Sequence, residues 1–100
     1  MAIDAIVLRS VDNVATAVQN LKEGQEAATR LDREMIPVVV GQDIPYGHKF
    51  AFRDIKKGEN ILKYGEVIGR ATADIPRGMH AHVQNIESLR GRGDLQKEEA

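Results

Sequence analysis

Three histidines, two lysines and a tyrosine stand where their chemistry could converge. His48 and Lys49 follow directly on a Pro45-Tyr46-Gly47 turn, so both side chains leave a sharp corner at the start of a strand. An imidazole beside an ammonium can hold a carboxylate through hydrogen bonds strengthened by positive charge. The same pair could equally decorate an exposed strand start, where charge discourages edge-to-edge association. Lys63-Tyr64 offers a second cation and a hydroxyl on alternate faces of a strand. Lys63 adds an anion contact if it faces the same cleft as Lys49 and is ordinary surface charge otherwise. Tyr64 could donate its hydroxyl to a substrate, although a tyrosine beside glycine more often packs its ring over the bare backbone. His80 and His82, two apart on a strand, share a face and could chelate a metal. His48 is the only other imidazole, so a three-histidine site would use the whole supply, and no metal is assigned to this chain.

The remaining polar residues supply no catalytic set, and no residue is assigned a catalytic role. Asp43, Asp54 and Asp74 belong to a phrase, Asp-Ile-x-x-Gly, that occurs three times: Asp43-Ile44-Pro45-Tyr46-Gly47, Asp54-Ile55-Lys56-Lys57-Gly58 and Asp74-Ile75-Pro76-Arg77-Gly78. This is turn chemistry. The aspartate accepts backbone N–H bonds one or two residues on, proline presets φ for the second turn position, and glycine supplies the left-handed conformation. The isoleucine is too apolar for a turn tip and should anchor each corner from inside. The copies lie 11 and 20 residues apart, which is not a solenoid period. Glu59 and Glu66 fall at exposed strand ends, and Arg92-Gly93-Asp94 belongs to a polar tail.

The elements that must position these groups are mostly strands. Residues 5–9, 25–32, 36–40, 48–53, 60–64, 67–73 and 79–83 are β-prone runs between turn residues. In 48–53 the alternation sets Phe50 and Phe52 on one face, opposite Lys49, Ala51 and Arg53. Gly65 and Gly69 predict a bulge or a close backbone crossing. Between Asp12 and Gly24 the period changes: Val14, Val18 and Leu21 fall at i, i+4 and i+7, Ala17 widens the stripe, and Asp12 is a good N-cap. That spacing predicts one short helix. The strand pattern ends after Ile86, giving a single mainly β domain over 1–88 and a polar, mobile tail over 89–100.

Composition narrows the class further. With 42% hydrophobic but only 4% aromatic residues, the core must be built from Ile, Val, Leu and Ala. A net charge of −1 gives no nucleic-acid footprint. No apolar run is long enough to span a bilayer, and the first residues lack a secretory signal's basic and apolar regions. With no cysteine there is neither a disulfide framework nor a thiol nucleophile. The expected compartment is the cytoplasm, with no membrane partner.

From Ile44 through Glu59, with its Gly47-His48-Lys49 phrase, the chain resembles the SAF domain of altronate and galactarate dehydratases, a family that includes the small subunit of sulfolactate sulfo-lyase. The resemblance continues through Lys63-Tyr64-Gly65-Glu66-Val67-Ile68-Gly69, the third corner, and His82-Val83-Gln84-Asn85. Asp12-Asn13-Val14-Ala15 also looks like the segment that opens the family's helix. One departure is that the family often has His-x-His-Asn where this chain has Gln84 in the second histidine place, with an additional His80.

The resemblance implies a β-clip fold, here with one short N-terminal helix. It also implies the role of a small subunit in a two-component lyase acting on a carbohydrate acid, such as an altronate- or galactarate-type acid. On that reading His48, Lys49, Lys63, Tyr64, His82 and Asn85 contact substrate. The elimination chemistry lies on a large dehydratase partner, which would also hold a divalent metal, with iron a candidate. This chain carries no cofactor and is not expected to be active alone, and a homo-oligomer is compatible with the reading. Two alternatives stand beside it: a sulfolactate sulfo-lyase-type small subunit, and a non-enzymatic binding module of the same fold.

Overall fold

In a computed structural model the chain is described over residues 2–88. The tail expected over 89–100 lies outside the described residues. Nine strands run in order: β1 (Ala5–Val7), β2 (Val14–Ala17), β3 (Glu26–Leu31), β4 (Glu34–Val39), β5 (Lys49–Ala51), β6 (Asn60–Lys63), β7 (Glu66–Ala71), β8 (His80–Ala81) and β9 (Ile86–Ser88). Six form one sheet in the order β4-β3-β1-β2-β5-β8, and three form a second in the order β6-β7-β9. Among the described strands only β1 and β3 pair in parallel.

The expected helix is not there, and the described residues contain none. Residues 14–17 are strand β2, sandwiched between β1 and β5. Val14, Ala15 and Ala17 are all buried, because the two faces of β2 meet different cores. Ala15, Ala17 and Leu21 pack with Phe50 in one, Val14 with Ala51 and Ile61 in the other. A strand covered on both faces reads as an unbroken apolar run, and such a run satisfies a helical spacing by accident. Asp12, instead of capping a helix, is buried and accepts the N–H groups of Arg9, Tyr64 and Gly65. It thereby holds the β6–β7 hairpin, whose loop residues Tyr64 and Gly65 have φ of 57° and 77° as a two-residue hairpin turn favours. Asn13 continues the clamp, accepting from the Leu62 N–H and donating to the Asn60 carbonyl.

β5 is likewise covered on both faces: Phe50 and Phe52 are buried in one core and Ala51, on the opposite face, in the other. The glycine expectation holds: the β6–β7 register shifts between Ile61 and Leu62, and a Cβ at Gly69 would collide with the Glu87 carbonyl. β9 extends the pattern past the point where the sequence signal ended.

The corners are interlocked rather than self-contained. Ile55 and Ile75 exchange backbone hydrogen bonds at 2.9 and 2.7 Å. Asp54 Oδ1 accepts from Arg77 N–H and Asp74 Oδ1 from Lys57 N–H, both at 2.8 Å. Each aspartate thus caps its partner's turn, not its own. The corner at 43–47 pairs in the same way with 20–24, Asn20-Leu21-Lys22-Glu23-Gly24, a fourth copy written with Asn for Asp and Leu for Ile. Leu21 and Ile44 exchange backbone bonds, Asp43 Oδ1 accepts from Glu23 N–H, and Asn20 Oδ1 accepts from Tyr46 N–H. In all four the glycine has φ of 85–91° and the residue after it donates to the carbonyl of the first x residue. Proline therefore stands first in its turn, one place earlier than expected. Leu21, Ile44, Ile55 and Ile75 are all buried, as the anchoring role requires.

Candidate functional site

The first x residue of the four corners explains why only some of them release a side chain. Where the first x residue is lysine, its N–H needs an acceptor, and the side chain after the glycine supplies one. Gln25 Oε1 accepts from Lys22 N–H at 3.0 Å, and Glu59 Oε1 from Lys56 N–H at 2.8 Å. Where that residue is Pro45 or Pro76 there is no N–H to satisfy. The following residues are then His48 and Met79, whose side chains are free of that duty. His48 consequently leaves its corner toward β8.

Strand register brings the other imidazoles to it. Lys49 pairs with Ala81 and Phe50 with His80, so continuing the register by one residue sets His82 opposite His48. His80 follows two residues along on the same face. The His48 and His82 rings stack with centroids 4.2 Å apart. His48 Nδ1 and His80 Nε2 are 2.9 Å apart, a hydrogen bond in which one nitrogen carries the proton. Ring nitrogens of all three lie within 4.8 Å of one another. Each ring is half-buried, and the fully buried Phe50 is the strand partner of His80.

The cluster is positioned from outside by amides. Gln42 Oε1 accepts from His80 N–H, Asn85 Oδ1 from His82 N–H, and Asn85 Nδ2 donates to the His80 carbonyl. Asn85, expected as a substrate contact, therefore has both ends of its amide engaged in shaping the turn after β8. The Gln84 amide lies 3.0 Å from His80 Nδ1.

Two ammonium groups act on this cluster electrostatically. Burial, and then the charge of Lys63, lowers the Lys49 pKa from its ordinary range. The fold therefore holds the two cations near one another despite their repulsion. His80 is lowered by burial first, then by His48, His82 and Lys49, and His82 by burial, then His48 and Lys49. Among the described residues the one ion pair is Arg70–Glu87, so neither lysine is neutralised by a carboxylate there. The Lys63 ammonium lies 4.8 Å from the centroid of the Tyr64 ring, a cation–π contact. Tyr64 is exposed at the hairpin tip, and it joins the site through Lys63.

His48, Lys49 and His82 thus come together, with Lys63 beside Lys49. Tyr64 and Asn85 support these groups from the hairpin tip and the turn. His80, weighed above only as a metal ligand, and Gln84 were not expected among the groups around His48 and Lys49. The i, i+2 spacing of His80 and His82 signalled a shared face, but nothing local signalled that His48 would lie opposite. An array of closely spaced imidazole and ammonium groups with no carboxylate partner among the described residues can hold an anion, and its convergent ring nitrogens suit a metal ion.

Comparison with known proteins gives a consistent picture. A family model described as the altronate/galactarate dehydratase SAF domain matches residues 3–89. The chain is 46% identical over 83 residues to altronate dehydratase of Escherichia coli, covering 83% of this chain and 16% of that protein. It is 37% identical over 97 residues to (2R)-sulfolactate sulfo-lyase subunit alpha of Chromohalobacter salexigens, covering 90% of this chain and 99% of that one. Identity to galactarate dehydratase (L-threo-forming) of E. coli is 41% over 73 residues, 13% of that protein's length. The chain thus spans only a small part of the dehydratases it matches.

Proposed function

This chain belongs to the altronate/galactarate dehydratase SAF domain family, and from that premise we propose that it is the small subunit of a two-component carbohydrate-acid dehydratase. It helps to hold the acidic substrate over a reaction centre on a larger partner. The observation that carries the reading is the cluster of three imidazoles, with the Lys49 charge acting on His80 and His82 and the Lys63 charge acting on Lys49. Such a cluster is unfavourable until an anion arrives.

In a β-elimination of this type a base takes the proton next to the carboxylate and the β-hydroxyl departs as water. Negative charge builds on the carboxylate oxygens as that proton leaves. The Lys49 and Lys63 ammonium groups would bind the resting carboxylate and stabilise the richer charge of the transition state more strongly. His48 and His82 would orient the acid by hydrogen bonds to its hydroxyls. The acid–base pair that moves the proton would belong to the partner. A divalent metal held by that partner would polarise the leaving oxygen. Near-complete coverage of the sulfo-lyase alpha subunit favours a second form of the same reading, with sulfite as the leaving group.

The experiment is reconstitution with a candidate large dehydratase subunit and assay against altronate, galactarate and (2R)-sulfolactate. Lys49→Met keeps the apolar stem and removes the charge. It should lower kcat/KM about tenfold or more, the loss of at least one charge-assisted bond, with subunit association preserved. Unchanged kinetics would remove this face from the site and leave the chain a binding or assembly module.

A further inference from the structure

His48, His80 and His82 are the chain's entire supply of histidine, and they meet on one face from two neighbouring strands. We infer that these three imidazoles form a binding site for a divalent transition metal ion on this chain. Imidazole nitrogen is a preferred ligand for zinc, iron, nickel and copper, and three such ligands make a complete protein set for an open site.

The geometry is close to what a metal requires. His48 Nδ1 and His80 Nε2 are 2.9 Å apart around a shared proton. Two metal–nitrogen bonds of about 2.1 Å at a tetrahedral angle set their nitrogens about 3.4 Å apart. An ion would therefore displace that proton with an opening of about half an ångström. The rings lie within 26° of parallel, so they must also turn about their Cβ–Cγ bonds to aim at one point.

The amide around His80 would have to adapt. Gln84 Nε2 donates to His80 Nδ1 and so leaves the ring proton on Nε2. Metal binding through Nε2 moves that proton to Nδ1 and requires the Gln84 amide to turn its oxygen toward it. Gln42 and Asn85 pin the backbone around His80 from two sides. Because each ring is half-buried, open coordination positions would face solvent. There the carboxylate or hydroxyl of an acid could coordinate beside Lys49. Only that use of the open positions rests on the acid-binding reading above; metal binding itself does not.

The test titrates the full chain, first stripped with a chelator, with Zn2+ by calorimetry and with Co2+ by visible absorption. One ion should bind per chain. His48→Ala and His80→Ala should each weaken binding about tenfold or more with the circular dichroism unchanged, and Gln84→Ala should weaken it less. Should an alanine variant fail to fold, acylating the imidazoles of the folded wild type must abolish binding instead. Absence of saturable binding, or binding indifferent to the histidines, overturns the metal site. The acid-binding reading would then still stand or fall on the Lys49→Met kinetics, whereas saturable metal binding with normal Lys49→Met kinetics would reverse that outcome.

Discussion

The corner ending at Gly47 and the corner ending at Gly58 have the same backbone but release different side chains. Both place a left-handed glycine third in the turn, both bury an isoleucine, and both lend their aspartate to a partner corner. After Gly58 comes Glu59, whose carboxylate returns to Lys56 N–H. After Gly47 comes His48, which turns outward to stack on His82. The difference traces to one atom: Lys56 has an amide hydrogen to satisfy and Pro45 does not. A repeated structural device thus becomes available for function where proline removes a donor.

The largest expected effect breaks the equivalence of the glycines. A Cβ at Gly78 would collide with the Val39 carbonyl oxygen, whereas at Gly47 or Gly58 it would meet open space. Gly47→Ala and Gly58→Ala should therefore cost about 1 kcal/mol each from the positive φ alone. Gly78→Ala should cost about 2 kcal/mol or more, since backbone must also move. Urea unfolding of the three variants tests this, and equal losses would dissolve the distinction.

A smaller effect isolates the proline argument. Glu59→Ala should destabilise by roughly 0.5–1 kcal/mol because it exchanges the bond to the Lys56 N–H for one to water. In a Lys56→Pro background, where that N–H no longer exists, the same substitution should cost little. A double-mutant cycle measures the coupling, and a Glu59→Ala cost of the same size in both backgrounds would refute the account.

The smallest effect belongs to the histidine side of the comparison. His80 and His82 are lowered by burial and by neighbouring positive charge from an ordinary value of 6.5. The unfolded chain therefore takes up protons near pH 6.5 that the folded chain still refuses. Stability is fully present above that pH and falls as pH drops through it toward the lowered values. The melting temperature should decline by a few degrees at most between pH 7.5 and 5.5, and His80→Gln should flatten the decline. An unchanged slope would mean that the cluster repels less than its spacing implies.

Much of the candidate site was legible because its signals are local. The Pro45-Tyr46-Gly47 turn, the alternation through Phe50 and the i, i+2 pair His80/His82 depend on neighbours in the chain. His80's bond to His48 was not legible, because it depends on which strand pairs with β5. Asn85 illustrates the converse: its residue type suited a substrate contact, and only the folded turn shows its amide already engaged. The fourth corner was hidden by two conservative replacements, Asn20 for aspartate and Leu21 for isoleucine.

By itself the sequence determined the family, the mainly β class, the buried anchors of the corners and the cationic character of the His48-Lys49 segment. These follow from backbone conformational limits and side-chain chemistry that act over a few residues. Only the tertiary structure decided that residues 14–17 are strand instead of helix. A segment covered on both faces carries no periodic contrast between core and solvent, so its burial comes from partners far along the chain. Tertiary structure likewise decided that each aspartate serves a distant turn and that three separate imidazoles share one face. Those outcomes rest on strand register, which long-range pairing sets and no local residue pattern encodes.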